Sequence, residues 1–124
     1  MKPAYITFEQ AKILKEKKFD VRVKSFYDVI GELNTIENDE MNTKGFANRH
    51  LPKGECSAPE QHIVIEWLRI KHNIHIWVNP IAVGDYKYTI LSNEWLRFET
   101  EKFGYNSPQE AYSAAFDYVL KNNL

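Results

Sequence analysis

With 124 residues, 44% of them hydrophobic and 14% aromatic, the chain is long enough to bury a core without staples and too apolar to stay disordered. Sixteen Lys and Arg against 17 Asp and Glu leave a net charge of −1, which argues against a protein whose affinity comes mainly from neutralising phosphates. One cysteine, Cys56, excludes an internal disulfide; with no leader-like opening and no apolar run near the ~20 residues of a bilayer span, the expectation is a cytoplasmic setting without a membrane partner.

Thr7-Phe8-Glu9-Gln10 has the form of a capping box and predicts a helix over residues 8–18, buried through Phe8, Ala11, Ile13 and Leu14, with lysines at its negative end. Val21 and Val23 then alternate with Arg22 and Lys24. β-Branched and aromatic residues continue through Phe26, Tyr27, Val29 and Ile30, predicting a half-buried strand that turns at Gly31. From Glu32 to Glu55 apolar density falls. A structureless stretch of that length is uncommon in a compact domain, so a short strand or helical turn is expected within this irregular, insertion-like segment, 32–55.

Ser57-Ala58-Pro59-Glu60 reads as a second capping box with proline in the first turn. Ile63, Val64, Trp67 and Leu68 follow at helical spacing, with Ile65 and Ile70 broadening the apolar surface, and Asn73 ends the helix in a left-handed conformation. Ile74, Ile76 and Val78 alternate with His75, Trp77 and Asn79. A turn over residues 80–85, a second alternating run to Leu91, a turn at Ser92-Asn93 and a third run to Phe98 complete a three-stranded meander over residues 74–99. Ser107-Pro108-Gln109-Glu110 opens a C-terminal helix with Ala111, Ala115, Tyr118 and Val119 on its stripe.

The order α-β-(irregular)-α-β-β-β-α predicts a single α+β domain over residues 1–124, its helices on one face of a mostly antiparallel sheet. Phe8-Glu9-Gln10-Ala11-Lys12, Ser57-Ala58-Pro59-Glu60-Gln61, Trp67-Leu68-Arg69, His72-Asn73-Ile74-His75-Ile76 and Ser107-Pro108-Gln109-Glu110-Ala111 carry a further implication. Through these blocks the chain resembles small proteins encoded by tailed phages and prophages of gut anaerobic bacteria. The resemblance covers most of the chain outside residues 31–54. It implies a phage-associated origin, in the bacterial host cell or the virion, and brings no catalytic residue or cofactor with it.

Candidate chemistry is sparse. His62 and His72 lie ten residues apart on one predicted helix and cannot share an ion, and His75 adds no third converging ligand, so neither a metal nor a cofactor is expected. Cys56, just ahead of a predicted helix start, would have a lowered thiol pKa there, with His50 and His62 as candidate bases; this is the basis for a ligand site or enzyme near residues 50–62. No phosphate loop or nucleophile elbow is present.

Residues 1–24 carry seven basic and three acidic side chains, and residues 25–61 three and seven. Lys12, Lys15, Lys17, Lys18, Arg22 and Lys24 therefore form a candidate nucleic-acid face. The C-terminal α-β-β-β-α order is shared with double-stranded RNA-binding domains, but Glu110 stands at the helix start where phosphate recognition needs cations. Trp77, Tyr86, Tyr88, Trp95 and Phe98, all from the meander, make the aromatic surface expected of a protein interface, with a second copy of the chain as its simplest partner. The leading reading is a non-enzymatic accessory protein acting through that interface. Nucleic-acid binding and a small-ligand site are its alternatives.

Overall fold

In the computed structural model, which describes residues 3–36, 45–92, 98–99 and 104–122, the α+β order appears as expected. It runs α1 (Phe8–Glu16), β1 (Ser25–Tyr27), β2 (Leu33–Thr35), β3 (Cys56–Ser57), α2 (Gln61–His72), β4 (Ile74–Ala82), β5 (Asp85–Ser92), β6 (Phe98–Glu99) and α3 (Pro108–Asn122). The strands divide, however, into two antiparallel sheets, ordered β2-β1-β3 and β4-β5-β6, where one was predicted. β2 and β3 take up both sides of β1, so β1 pairs within its own unit and not with the meander. Two compact units result, residues 1–60 and 61–124.

In the first unit the Thr7 hydroxyl accepts the Gln10 N–H at 3.1 Å and the Gln10 side chain accepts the Thr7 N–H at 3.0 Å, the reciprocal cap read from the sequence. The helix stops two residues early. Lys18 takes φ +65°, while Phe19 N–H reaches Leu14 O at 2.9 Å and Lys18 N–H reaches Lys15 O at 3.1 Å, the paired bonds of a Schellman ending. Phe19, next in the chain, is thereby driven into the core beside Ile6, Ala11 and Leu14, all buried. The predicted strand 21–30 is shorter than expected: past Tyr27 the chain turns, with Asp28 Oδ1 accepting the N–H groups of Ile30 and Glu32, each at 3.0 Å.

Asn48, in a single 3-10 turn (Asn48–His50), pins this unit. Its amide donates to Phe19 O and its carbonyl accepts from Ser57 N–H, both at 2.8 Å, and the residue is only 6% exposed. Thus the helix ending, the 3-10 turn and β3 share one side chain. Upstream, Gly45 at φ +72° lies against Val23, and a Cβ there would run into the Val23 carbonyl, so glycine permits the Val23–Phe46 bridge.

The Ser57 capping box is not formed. Ser57 pairs with Phe26, Ala58 N–H reaches Ser25 O at 2.9 Å, Ile6 N–H reaches Pro59 O at 3.2 Å and Glu60 bridges Tyr5. Extended pairing on both sides holds residues 56–60 out of the helix, which begins at Gln61.

In the second unit Val64, Trp67 and Leu68 of α2 and Ala111, Ala115, Phe116, Val119 and Leu120 of α3 are buried. Both helices pack against β4, and α3 also against β5. Ile70, expected to widen the apolar surface of α2, is exposed. Asn73 ends α2 at φ +52°, as predicted, and β4 starts on the next residue. The first hairpin turn is tighter than the predicted 80–85: Ala82 already pairs with Asp85, after a register shift between Pro80 and Ala82. The predicted turn at Ser92-Asn93 and most of the third run, residues 93–97, lie outside the described residues. Ser107 caps α3 by accepting Glu110 N–H at 3.2 Å, while the Glu110 carboxylate accepts from Asn106 N–H at 2.9 Å.

Two substitutions in the first unit test this account by chemical denaturation. Asn48→Ala leaves buried backbone groups without partners and lowers stability by about 2–3 kcal/mol. Lys18→Gly relieves a left-handed side chain and raises stability by roughly 0.5–1 kcal/mol.

Candidate functional site

Cross-strand partners share a face of a sheet. Ile74, Ile76, Val78 and Pro80 of β4 pair with Ser92, Ile90, Tyr88 and Tyr86 of β5, while His75, Trp77 and Asn79 pair with Leu91, Thr89 and Lys87. The first set includes the buried Ile74, Ile76, Tyr88 and Ile90 and is the face the helices cover. Trp77, half-buried, is on the other face. The predicted aromatic interface is therefore split: Tyr86 and Tyr88 are on the helix side with Tyr88 in the core, where its ring lies 6.1 Å from that of Tyr105. Phe98 stands opposite Ile90 in the backbone register, and Trp95 lies outside the described residues. Alternation of period two makes the split unavoidable, because Trp77 pairs with Thr89, one place along β5 from Tyr88.

The predicted basic face is in part engaged within its own unit. Lys12 pairs with Glu9 at 2.9 Å and lies over the Phe8 ring at 4.6 Å. Lys15 donates to the carbonyls of Pro52 at 3.2 Å and Glu55 at 2.5 Å and Arg22 donates to Gly45 O at 3.3 Å, while Lys17 forms the C-cap of α1 through its backbone. Lys18 and Lys24 are exposed. An open cleft of about 430 Å³ is lined by Lys15, Lys18, Phe19, Asp20, Asn48 and Arg49. Arg49 is paired with Asp20 across it.

That cleft is not lined by the trio read as a candidate catalytic site. Cys56 is 2% exposed and lies in β3 opposite Tyr27, not ahead of a helix. Burial pushes its thiol up to about 11, the reverse of the lowered value expected from the sequence, and the Tyr27 hydroxyl is likewise raised, first by burial. His50 is exposed and its Nδ1 accepts Ala47 N–H at 3.0 Å. Its pKa is lowered, by desolvation and then by Arg49 and Arg22. His62 is exposed on α2, His72 lies edge-on to Trp67 with ring centroids 4.7 Å apart, and His75 Nε2 lies 3.1 Å from Asn73 Oδ1. Among the described residues no three His, Cys, Asp or Glu side chains converge as a metal site would need, and no described helix is long and apolar enough to cross a membrane.

The β1–β2 turn, expected at Gly31, begins three residues earlier, at Asp28. Val29 and Ile30, read as strand residues, are 65% and 79% exposed, with Leu33 also exposed just beyond. The signal was present: Asp28 and Gly31 flank them as the first and last residues of a type I turn prefer. The Asp28 carboxylate is held below its usual range chiefly by the Glu32 N–H. At the β4–β5 turn Ile81 is exposed and Val83 fully so.

No family model matches the chain, and neither a curated protein nor a solved structure matches it.

The state of Cys56 has a measurable consequence. A thiol whose folded pKa stands above its unfolded value leaves stability intact below about pH 9 and removes it as pH rises toward about 11, by up to about 3 kcal/mol. Urea unfolding across that window should show the decline, and Cys56→Ala should show less of it. Native protein should alkylate slowly at pH 8 and rapidly once unfolded.

Proposed function

We propose that the chain is a non-enzymatic protein-binding domain that docks a partner on the apolar turn of its first unit. The observation carrying this is the exposure of Val29 and Ile30 at a turn whose geometry Asp28 and Gly31 already specify. Folding places no demand for two β-branched apolar side chains there, and neighbouring apolar side chains rimmed by charge are what protein interfaces use as anchors. Asp28 and Glu32 supply the rim, which suits a partner with basic residues around an apolar pocket. The resemblance to phage-encoded proteins makes phage or bacterial-host proteins the partner class, met in the host cell or the virion.

The test is recovery of tagged protein from phage-infected cells in two forms, wild type and Val29→Ser/Ile30→Ser. The double variant should unfold within about 0.5 kcal/mol of wild type, as surface changes do, and should lose the one partner that wild type enriches. Retention of that partner, or destabilisation by several kcal/mol, would contradict the proposal.

A further inference from the structure

β4 is an edge strand, and its bonding parity is fixed. Tyr86 N–H donates to Tyr105 O at 3.0 Å, on the side of β5 away from β4, so Tyr86 and its β4 partner Pro80 form a non-hydrogen-bonded pair. Pairs alternate along an antiparallel ladder. Asn79, Trp77 and His75 therefore bond to β5, while Val78, Ile76 and Ile74 turn their N–H and C=O groups outward, and Pro80 turns outward a nitrogen that has no proton. Among the described residues, no backbone group of Ile74, Ile76 or Val78 has a partner beyond its own sheet.

Edges of this kind are normally blunted by charge, proline or a bulge. Here the proline and the register shift both fall at Pro80–Ala82, and residues 74–79 contain no Asp, Glu, Lys or Arg. The stretch from Ile74 to Val78 is left as an uncharged template for another strand.

We infer that β4 pairs with β4 of a second copy of the chain, antiparallel about a twofold axis at Ile76, joining two three-stranded sheets into one. The register follows from the outward groups. With the axis at Ile76, Ile76 pairs with itself and Ile74 pairs with Val78 in both directions, all through outward-facing groups, and Pro80 is never required to donate. Moving the axis to Trp77 would set Ile74 opposite Pro80, losing a donor on each side. With no charged side chain in the stretch, self-pairing brings no like charges together. In the closer, non-hydrogen-bonded positions His75 meets Trp77 of the second copy, a cross-strand aromatic pair that antiparallel sheets favour. This contact involves none of the residues of the Val29–Ile30 turn, and it stands or fails independently of that surface.

Sedimentation equilibrium of the full chain over a concentration series tests it. Wild type should be a reversible dimer of micromolar affinity, as a small interface gives. Val78→Pro removes an outward N–H without touching the ladder to β5, a position that tolerates proline. It should weaken the dimer at least about tenfold, since symmetry deletes the bond twice, with circular dichroism and the dilute-protein melting curve preserved. A charge exchange checks the register: His75→Lys/Trp77→Lys sets like charges opposite each other and should weaken the dimer, whereas His75→Lys/Trp77→Glu sets opposite charges together and should restore it. A wild type that stays monomeric at every concentration, a dimer indifferent to folded Val78→Pro, or two charge variants that behave alike would overturn the proposal.

Discussion

The bond from Tyr86 N–H to Tyr105 O fixes more of the second unit than its size suggests. By taking the Tyr86 donor to the far side of β5, it sets which β5 groups are left for β4, and alternation carries that choice down the hairpin. Asp85 supports it, accepting Gly104 N–H at 2.6 Å and so holding the segment that bears Tyr105. Pro80 fits the same parity, since a residue without an N–H belongs where no ladder bond is needed. One donor thus decides which backbone groups of the longest strand point at β5 and which point away.

The first unit uses a side chain for the equivalent task. Its strands are two or three residues long, too short to define a sheet by pairing alone, and Asn48 supplies what they lack by joining the end of α1 to β3. Lys15 reinforces the join through the carbonyls of Pro52 and Glu55. Cations that resemble a nucleic-acid face in the sequence therefore act, in part, as internal ties. Burial has the same effect on Cys56: a thiol closed inside β3 is held protonated, and its chemistry is packing. What the unit leaves outside is apolar, at a turn, which is why binding and not catalysis is the function we propose.

Much of this was legible in the sequence, for reasons that can be assigned. The Thr7 and Ser107 caps, the left-handed Asn73 and the β4–β5 alternation are local patterns, decided within a few residues. The Ser57 cap failed because its competitor was not local: backbone partners from residues 5, 6, 25 and 26 outweigh a capping box that spans four residues. Prediction of a single sheet failed in part for the same reason: Asp28 and Gly31 announce the return of residues 33–35, but nothing near β1 in sequence shows that residues 56–57 also pair with it. Aromatic composition identified the meander as ring-rich, but a face is a matter of register, and Trp77 and Tyr88 differ in parity. The outward groups of Ile74, Ile76 and Val78 could not be read from residue types at all.

Amide hydrogen exchange along β4, followed at low and high protein concentration, tests the parity and its use together. In dilute protein the N–H groups of Ile76 and Val78 should exchange quickly while those of His75, Trp77 and Asn79 are protected, and concentration should slow Ile76 and Val78 selectively. Uniform protection along the strand, or alternation in the opposite phase, or an Ile76 and Val78 pair unmoved by concentration, would contradict the account.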